Sequence, residues 1–310
     1  MAKKILITCP PMIRQIENYI SRFEELKYEF YVPDFIQTLS KEELLSLVPK
    51  YDGWIIGDDP ASKDVLLSGK TGNLKAIVKW GIGIDNINVQ ACKDLDISFK
   101  NTPGMFGPEV ADLAICYLIG LARNAFYVDR SVRKNLWVKP TGISLQGKTL
   151  GIVGLGDIGK AIAKRASAHD LVVKGWDPFV NDSEVELLNP WPEGLGQCDF
   201  LIFSCALTKK TRHMFCMDTL DFIKNGLRII NISRGSLIKE DAIIKGLESE
   251  KINSVAFDVF EEEPLSKNSP LLSFDNCIFG SHNASNTKEA VDKTSLLTIK
   301  LISEMLSFYE

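Results

Sequence analysis

The sequence predicts an α/β protein of two domains, each a parallel sheet with helices on its faces. Three observations carry that prediction. Short apolar runs rich in branched residues alternate with helix-period segments along the whole chain, joined by brief loops, a pattern that a parallel sheet covered on both faces accommodates. A strand–glycine–helix fingerprint, TLGIVGLGDIG over 149–159, stands mid-chain and not near the start. At 310 residues the chain exceeds one typical α/β core, so the residues ahead of the fingerprint must build something of their own.

In chain order, 4–9 (KILITC) reads as a strand, 13–26 as a helix and 28–32 as a second strand. Ser40 reads as the N-cap of a helix over 41–48, with Glu43 at the capping-box position. A third strand follows at 52–56, a short helix at 62–68, a fourth strand at 74–79, a helix at 89–94 and a short strand at 97–100. The loop after the fourth strand, Trp80-Gly81-Ile82-Gly83-Ile84-Asp85-Asn86, is dense in glycine. At the carboxyl end of a strand, where open α/β sheets bind ligands, such glycines can present backbone N–H groups to an anion.

Asn101-Thr102-Pro103-Gly104 breaks the alternation and marks a boundary. The longest helical stretch, 108–135, is apolar on more than one side through Val110, Leu113, Ala114, Tyr117, Leu118 and Leu121. A helix of that kind is buried on several sides, as a core helix or at a dimer interface. Then the fingerprint begins, with 150–153 as strand and 160–169 as helix. Gly154, Gly156 and Gly159 suit three separate needs: a tight turn, close approach to a pyrophosphate, and close helix–strand packing. The helix N-terminus beside Asp157 and Ile158 favours anions. The next strand, 171–176, ends in Asp177, at the spacing a ribose-binding carboxylate requires. Further strands are expected at 199–204, 227–232, 254–257 and 276–279, with helices at 217–223 and 240–249. An amphipathic helix over 287–309 closes the chain without a partner strand in its own domain.

Composition narrows the function. A hydrophobic share of 45% and a charged share of 25% are ordinary for a globular chain. The net charge of -4 offers no electrostatic reason to expect nucleic acid or anionic membrane. No apolar run approaches the roughly 20 residues of a membrane span, and the run in MAKKILITCPP is too brief for a signal peptide. Seven cysteines without CxxC pairs or Cys/His clusters argue against a disulfide framework or a structural zinc site, so a cytoplasmic protein without a metal is expected.

Strand ends in the second half carry polar residues that the strands do not need. Arg234, after a buried strand and before Gly235, can present a planar fork to a carboxylate. Phe257-Asp258 leads into a run of three glutamates ending at Glu263. Of three histidines, His169 ends a helix and His213 lies in a polar loop where solvation is expected; His282 alone sits at a strand end beside an apolar run.

Together these motifs resemble the D-2-hydroxyacid dehydrogenases (D-isomer specific), in the branch similar to phosphoglycerate dehydrogenase. The resemblance covers essentially the whole chain and rests on KWGIGIDNI (79–87), NTPG (101–104), PEVADLA (108–114), GKTLGIVGLGDIG (147–159), WDP (176–178), NISRGS (231–236), FDVFEEEP (257–264) and SHNAS (281–285). It implies two flavodoxin- or Rossmann-like domains with a cleft between them. Residues 1–101 and 286–310 would form the substrate-binding domain, completed by the returning C-terminal helix, and 102–285 the NAD-binding domain. It implies hydride transfer between NAD and a D-2-hydroxy acid or its 2-keto acid, with Arg234, Glu263 and His282 catalytic. NAD contacts would fall on Gly154, Gly156, Asp157, Ile158, Gly159, Asp177, Ile232, Ser233, Asp258 and Ser285. Substrate contacts would fall on Lys79, Ile82, Gly83 and Arg234, and the long helical stretch would serve a homodimer. Departures from the family pattern are Cys205-Ala206, Ser281 before His282, and Lys79 with Asp58-Asp59 at a position where phosphoglycerate enzymes often carry arginine. The last point disfavours a phosphorylated substrate, though D-3-phosphoglycerate dehydrogenase proper stays an alternative, as does an NAD-sensing corepressor. Glu263 argues against formate dehydrogenase, and the regulatory domains of longer phosphoglycerate dehydrogenases are expected to be absent.

Overall fold

The computed structural model describes residues 2–181, 184–188 and 190–309. The chain divides into two compact units, Met1–Met105 with Asn286–Glu310, and Phe106–Ser285.

The first unit is a five-stranded sheet of β1 (Lys3–Thr8), β2 (Tyr28–Tyr31), β3 (Gly53–Ile56), β4 (Ala76–Lys79) and β5 (Ser98–Lys100). The order is β2-β1-β3-β4-β5, every pair parallel, the flavodoxin arrangement. Its helices are α1 (Pro10–Ile13), α2 (Ile20–Glu25), α3 (Lys41–Leu47), α4 (Lys63–Thr71) and α5 (Val89–Asp94). The capping box at Ser40 and Glu43 is formed from both sides. The helix expected over 13–26 is broken instead into α1, a 3-10 turn at Ile16–Tyr19 and α2. Pro10 and Pro11 start the first piece early, since proline suits the first helical turn. The C-terminal helix, Lys288–Ser307, is capped by Thr287 and lays Ile302 against Gly53 of β3, where even a Cβ would be crowded at 3.0 Å.

The second unit holds β6 (Thr149–Val153), β7 (Val172–Trp176), β8 (Glu186–Leu187), β9 (Phe200–Phe203), β10 (Leu227–Asn231), β11 (Ile252–Phe257) and β12 (Ile278–Phe279). The sheet runs β12-β11-β10-β9-β6-β7-β8, all parallel. Counted from β6 this is a Rossmann order, with its reversal between β6 and β9. The strands that flank the reversal are buried from Leu150 to Val153 and from Phe200 to Phe203, as strands covered on both faces must be. The single helix expected over 108–135 is two: α6 (Gly107–Arg123) and α7 (Ala125–Arg133), bent by 70° where Asn124 takes a left-handed φ of 54°. The helix expected at 217–223 is a 3-10 turn, Met217–Asp221. Helices α8 (Asp157–Ser167) and α9 (Glu240–Glu248) complete the unit. No single helix among the described residues is long and apolar enough to cross a membrane.

Candidate active site

At the strand-order reversal of the second unit the three fingerprint glycines have separate reasons to lack a side chain. Gly154 has φ 94° and lies so close to Cys205 that a Cβ would stand 2.6 Å from its Cα. This tight approach turns the chain off β6 beside the end of β9. Gly159 lies against Gly154 O, where a Cβ would sit at 2.0 Å, so α8 packs directly on the strand end. Gly156 faces open space, with no atom within 4 Å of its would-be Cβ. Helix α8 starts at Asp157, and its first intrahelical bond runs from Lys160 N to Gly156 O at 2.9 Å. The N–H groups of Asp157, Ile158 and Gly159 therefore have no partner within the helix. An open glycine at the positive end of a helix is a fit for a pyrophosphate.

Asp177, at the end of β7, accepts from Leu155 N and from Phe179 N, at 2.8 and 2.9 Å. Its carboxylate is thereby fixed next to the glycine turn, as ribose recognition demands. The residues present fit a dinucleotide. Burial pushes the Cys205 thiol up to about 12, so the cysteine nearest the glycines is held as an unreactive thiol.

Asn231, buried at the end of β10, organises the next corner. Its Oδ1 accepts from Ser233 N and its Nδ2 donates to Arg234 O, at 3.2 and 3.0 Å. Ser233 Oγ donates to Cys205 O, and Ile232 is buried beneath. Arg234 is half-buried, with Nη1 donating to Ser233 O at 2.9 Å. Gly235 next to it leaves no space at all, because a Cβ there would be 1.8 Å from the Phe260 carbonyl carbon. The Arg234 turn thus lies directly on the loop that leads to Glu263.

Glu263 and His282 are paired. Glu263 Oε2 stands 2.8 Å from His282 Nδ1, and its Oε1 accepts from Phe260 N at 3.0 Å. His282 has φ 55° and donates its own N–H to Asp258 O at 2.7 Å. Asp258 is 1% exposed, and its carboxylate accepts from Ala284 N at 2.8 Å and from the Tyr117 hydroxyl at 3.4 Å. Burial, with Asp258 adding to it, pushes the Tyr117 phenol up and keeps it a donor. Asp258, expected among the cofactor contacts, here bolts the His282 turn to β11. Ser285 closes the unit, half-buried, three residues beyond His282.

In the first unit, the loop after β4 is braced by the NTPG segment. Gly81, at φ 144°, donates to Thr102 Oγ1 at 2.9 Å, and Asn101 Nδ2 donates to Ile82 O at 2.9 Å. Ile82 and Gly83 are held half-exposed by these two bonds. Lys79 differs from its neighbours. It is 2% exposed, and its ammonium is spent on Gly57 O at 2.5 Å and Asp58 Oδ1 at 2.8 Å. Asp59 is fully buried, accepts from Leu39 N at 2.8 Å, and burial pushes its carboxyl up. His213 also departs from expectation: its Nε2 stands 2.8 Å from Glu261 Oε1 and it is not a solvated loop residue.

Residues 115–284 match the family model for the D-isomer specific 2-hydroxyacid dehydrogenase, NAD binding domain. The chain is 35% identical to a D-3-phosphoglycerate dehydrogenase of Methanocaldococcus jannaschii over 86% of this chain and 52% of that one. It therefore spans about half the length of that relative. It is 33% identical to a hydroxypyruvate reductase of Thermotoga maritima over 86% of this chain and 89% of that one. The crystal structure of the TT0316 protein from Thermus thermophilus superposes with a TM-score of 0.88 at 26% identity, covering 98% of this chain and 97% of the other. With the dinucleotide turn, the Arg234 corner and the Glu263–His282 pair on one sheet, the chain belongs to the D-isomer specific 2-hydroxyacid dehydrogenases.

Proposed function

We propose that this chain interconverts a small, unphosphorylated D-2-hydroxy acid and its 2-keto acid with NAD. The observation that carries the reading is the Glu263 Oε2–His282 Nδ1 pair at 2.8 Å, on the sheet whose central turn fits a dinucleotide. The cofactor would supply the hydride acceptor or donor. Glu263 holds Nδ1, which sets Nε2 of His282 as the atom that takes the hydroxyl proton in oxidation or returns it to the keto oxygen in reduction. Arg234 clamps the substrate carboxylate through its planar fork. Ile82 and Gly83 offer backbone amides of the braced loop to the same kind of group. Lys79 acts at one remove, by holding Gly57 and Asp58. A phosphate at that corner would meet the Asp58 carboxylate and an ammonium already engaged.

The relative named hydroxypyruvate reductase, matched over nearly its full length, supports a small keto acid. The test is loss of NADH absorbance with hydroxypyruvate, glyoxylate, pyruvate and 3-phosphohydroxypyruvate, repeated with NADPH. Fastest turnover of an unphosphorylated acid with NADH is expected. Preference for the phosphorylated acid would assign the phosphoglycerate reaction instead, and no turnover of any acid would favour a binding protein. The chain is further read as a cytoplasmic homodimer. All seven cysteines are free, and Val132, Leu136 and Trp137 stand exposed at the end of α7 and just beyond it. Sedimentation of the parent against Trp137→Glu tests the dimer.

A further inference from the structure

His213 lies outside the Arg234, Glu263 and His282 set, yet it touches the two loops that carry Arg234 and Glu263. Its N–H donates to Ser236 O at 2.8 Å, and Phe215 N donates to Leu237 O at 3.2 Å. The segment 213–215 is therefore stitched to the chain just after Arg234-Gly235. Its imidazole reaches the other loop, with Nε2 at 2.8 Å from Glu261 Oε1, two residues before Glu263. Glu261 is also held from α9: its N–H donates to Glu240 Oε1 at 2.9 Å, and its Oε2 accepts from Glu240 N at 3.0 Å. Gly235 fills the floor between the two loops, with no room for a Cβ against the Phe260–Glu261 peptide. The charged groups gathered there are Glu240, Glu261 and Glu262, with Arg212 next in the chain. His213 keeps φ 53°, a left-handed conformation uncommon away from glycine, though histidine is among the residues that tolerate it.

We propose that His213 is a positioning residue, which clamps the Glu263 loop to the Arg234 turn and so keeps Glu263 on His282. The role rests on the dehydrogenase reading above. Its physical basis is the division of the loop: its start is fixed by the buried Asp258, Val259 and Phe260, whereas Glu261, two residues before Glu263, is held by the Gly235 contact, Glu240 and His213. Misplacement by about 1 Å at a reacting group can cost on the order of 100-fold in rate.

Four variants test it: His213→Ala, His213→Gln, Glu263→Gln, and His213→Ala with Glu263→Gln. His213→Ala is expected to lower kcat about tenfold or more, with a much smaller change in KM for the keto acid. The acidic limb of hydroxy-acid oxidation should move to lower pH, in the direction that Glu263→Gln moves it. His213→Gln keeps an N–H donor for Glu261 and should restore most of the loss. In the double variant His213→Ala should add little, because residues acting through one another are not additive. Additive losses, or a lower melting temperature with kcat and pH profile unchanged, would overturn the positioning role alone. A parent chain that turns over no 2-keto acid would overturn the dehydrogenase reading with it. Should His213→Ala fail to fold, Glu261→Ala removes the clamp's other partner and is read by the same two criteria.

Discussion

Glu263 spends one oxygen on the Phe260 amide and the other on His282, so Glu263→Gln can keep the shape while removing the charge. The imidazolium then lacks a stabilising anion. Keto-acid reduction, which needs the protonated ring, should fade at lower pH than in the parent. Hydroxy-acid oxidation, which needs the neutral ring, should have its acidic limb shifted down too. Rate against pH in both directions checks this, and unmoved limbs beside a plain loss of rate would make Glu263 a structural residue only. Asp59 supplies a second test by its buried carboxyl. Burial raises it above the ordinary aspartate value of about 3.9, so folding favours its protonated form. Its contribution is present below that ordinary value and is lost as pH rises through the raised one. Asp59→Asn, which still accepts from Leu39 N, should therefore gain stability over the parent at neutral pH, and the gap should close as pH falls toward 4. Urea melts across that range decide it, and a pH-independent difference would reject it. The Arg234 turn and the Glu263–His282 contact lie where the sequence motifs at the strand ends pointed. The contacts of Lys79 and His213 were not legible in the sequence. Whether a lysine turns its ammonium onto a neighbouring strand's carbonyl, or a loop histidine finds a glutamate 48 residues on, is set by tertiary neighbours that local sequence does not name.

The break between α6 and α7 shows what periodicity hides. Apolar residues continue across 108–135 without a gap, and the sequence reads as one helix. Only Asn124 signals the turn, because asparagine tolerates the left-handed conformation that ends helices. Its Nδ2 adds a bond to Thr141 O at 3.3 Å. A β-branched residue there should cost about 1–2 kcal/mol for the left-handed backbone alone, while glycine should cost less. Asn124→Val is thus expected to melt several degrees below Asn124→Gly, and equal melting of the two would mean the bend is imposed by packing and not by this residue. The glycine fingerprint and the Ser40 capping box were readable because both are local rules. The two-residue β8 is too short to show any period, and the 3-10 turn at Met217–Asp221 differs from an α-helix only in how its backbone bonds close.

At the scale of the molecule, the first unit is made from both ends of the chain. Its C-terminal helix buries Val291, Ile299, Ile302, Met305 and Leu306 at 4% exposure or less, and Ser295 Oγ accepts from Trp80 Nε1 at 3.1 Å. At about 1.5–3 kcal/mol for each buried apolar side chain, these five contribute as much as the roughly 5–15 kcal/mol that separates a folded domain from its unfolded chain. The helix is therefore part of the first unit's core. The second unit has its own sheet and its own apolar cluster, from Val153 to Cys277, and ends at Ser285. Truncation after residue 285 should leave 1–105 unfolded while 106–285 keeps its structure. A fragment of 106–285 alone should unfold in a single cooperative transition, and NAD should raise its melting temperature, since a ligand that binds only the folded form stabilises it. Limited proteolysis of the 1–285 chain would reveal the same division as rapid cleavage confined to 1–105. If 1–105 resisted protease and melted cooperatively without the last helix, the assignment of that helix to the core of the first unit would be wrong.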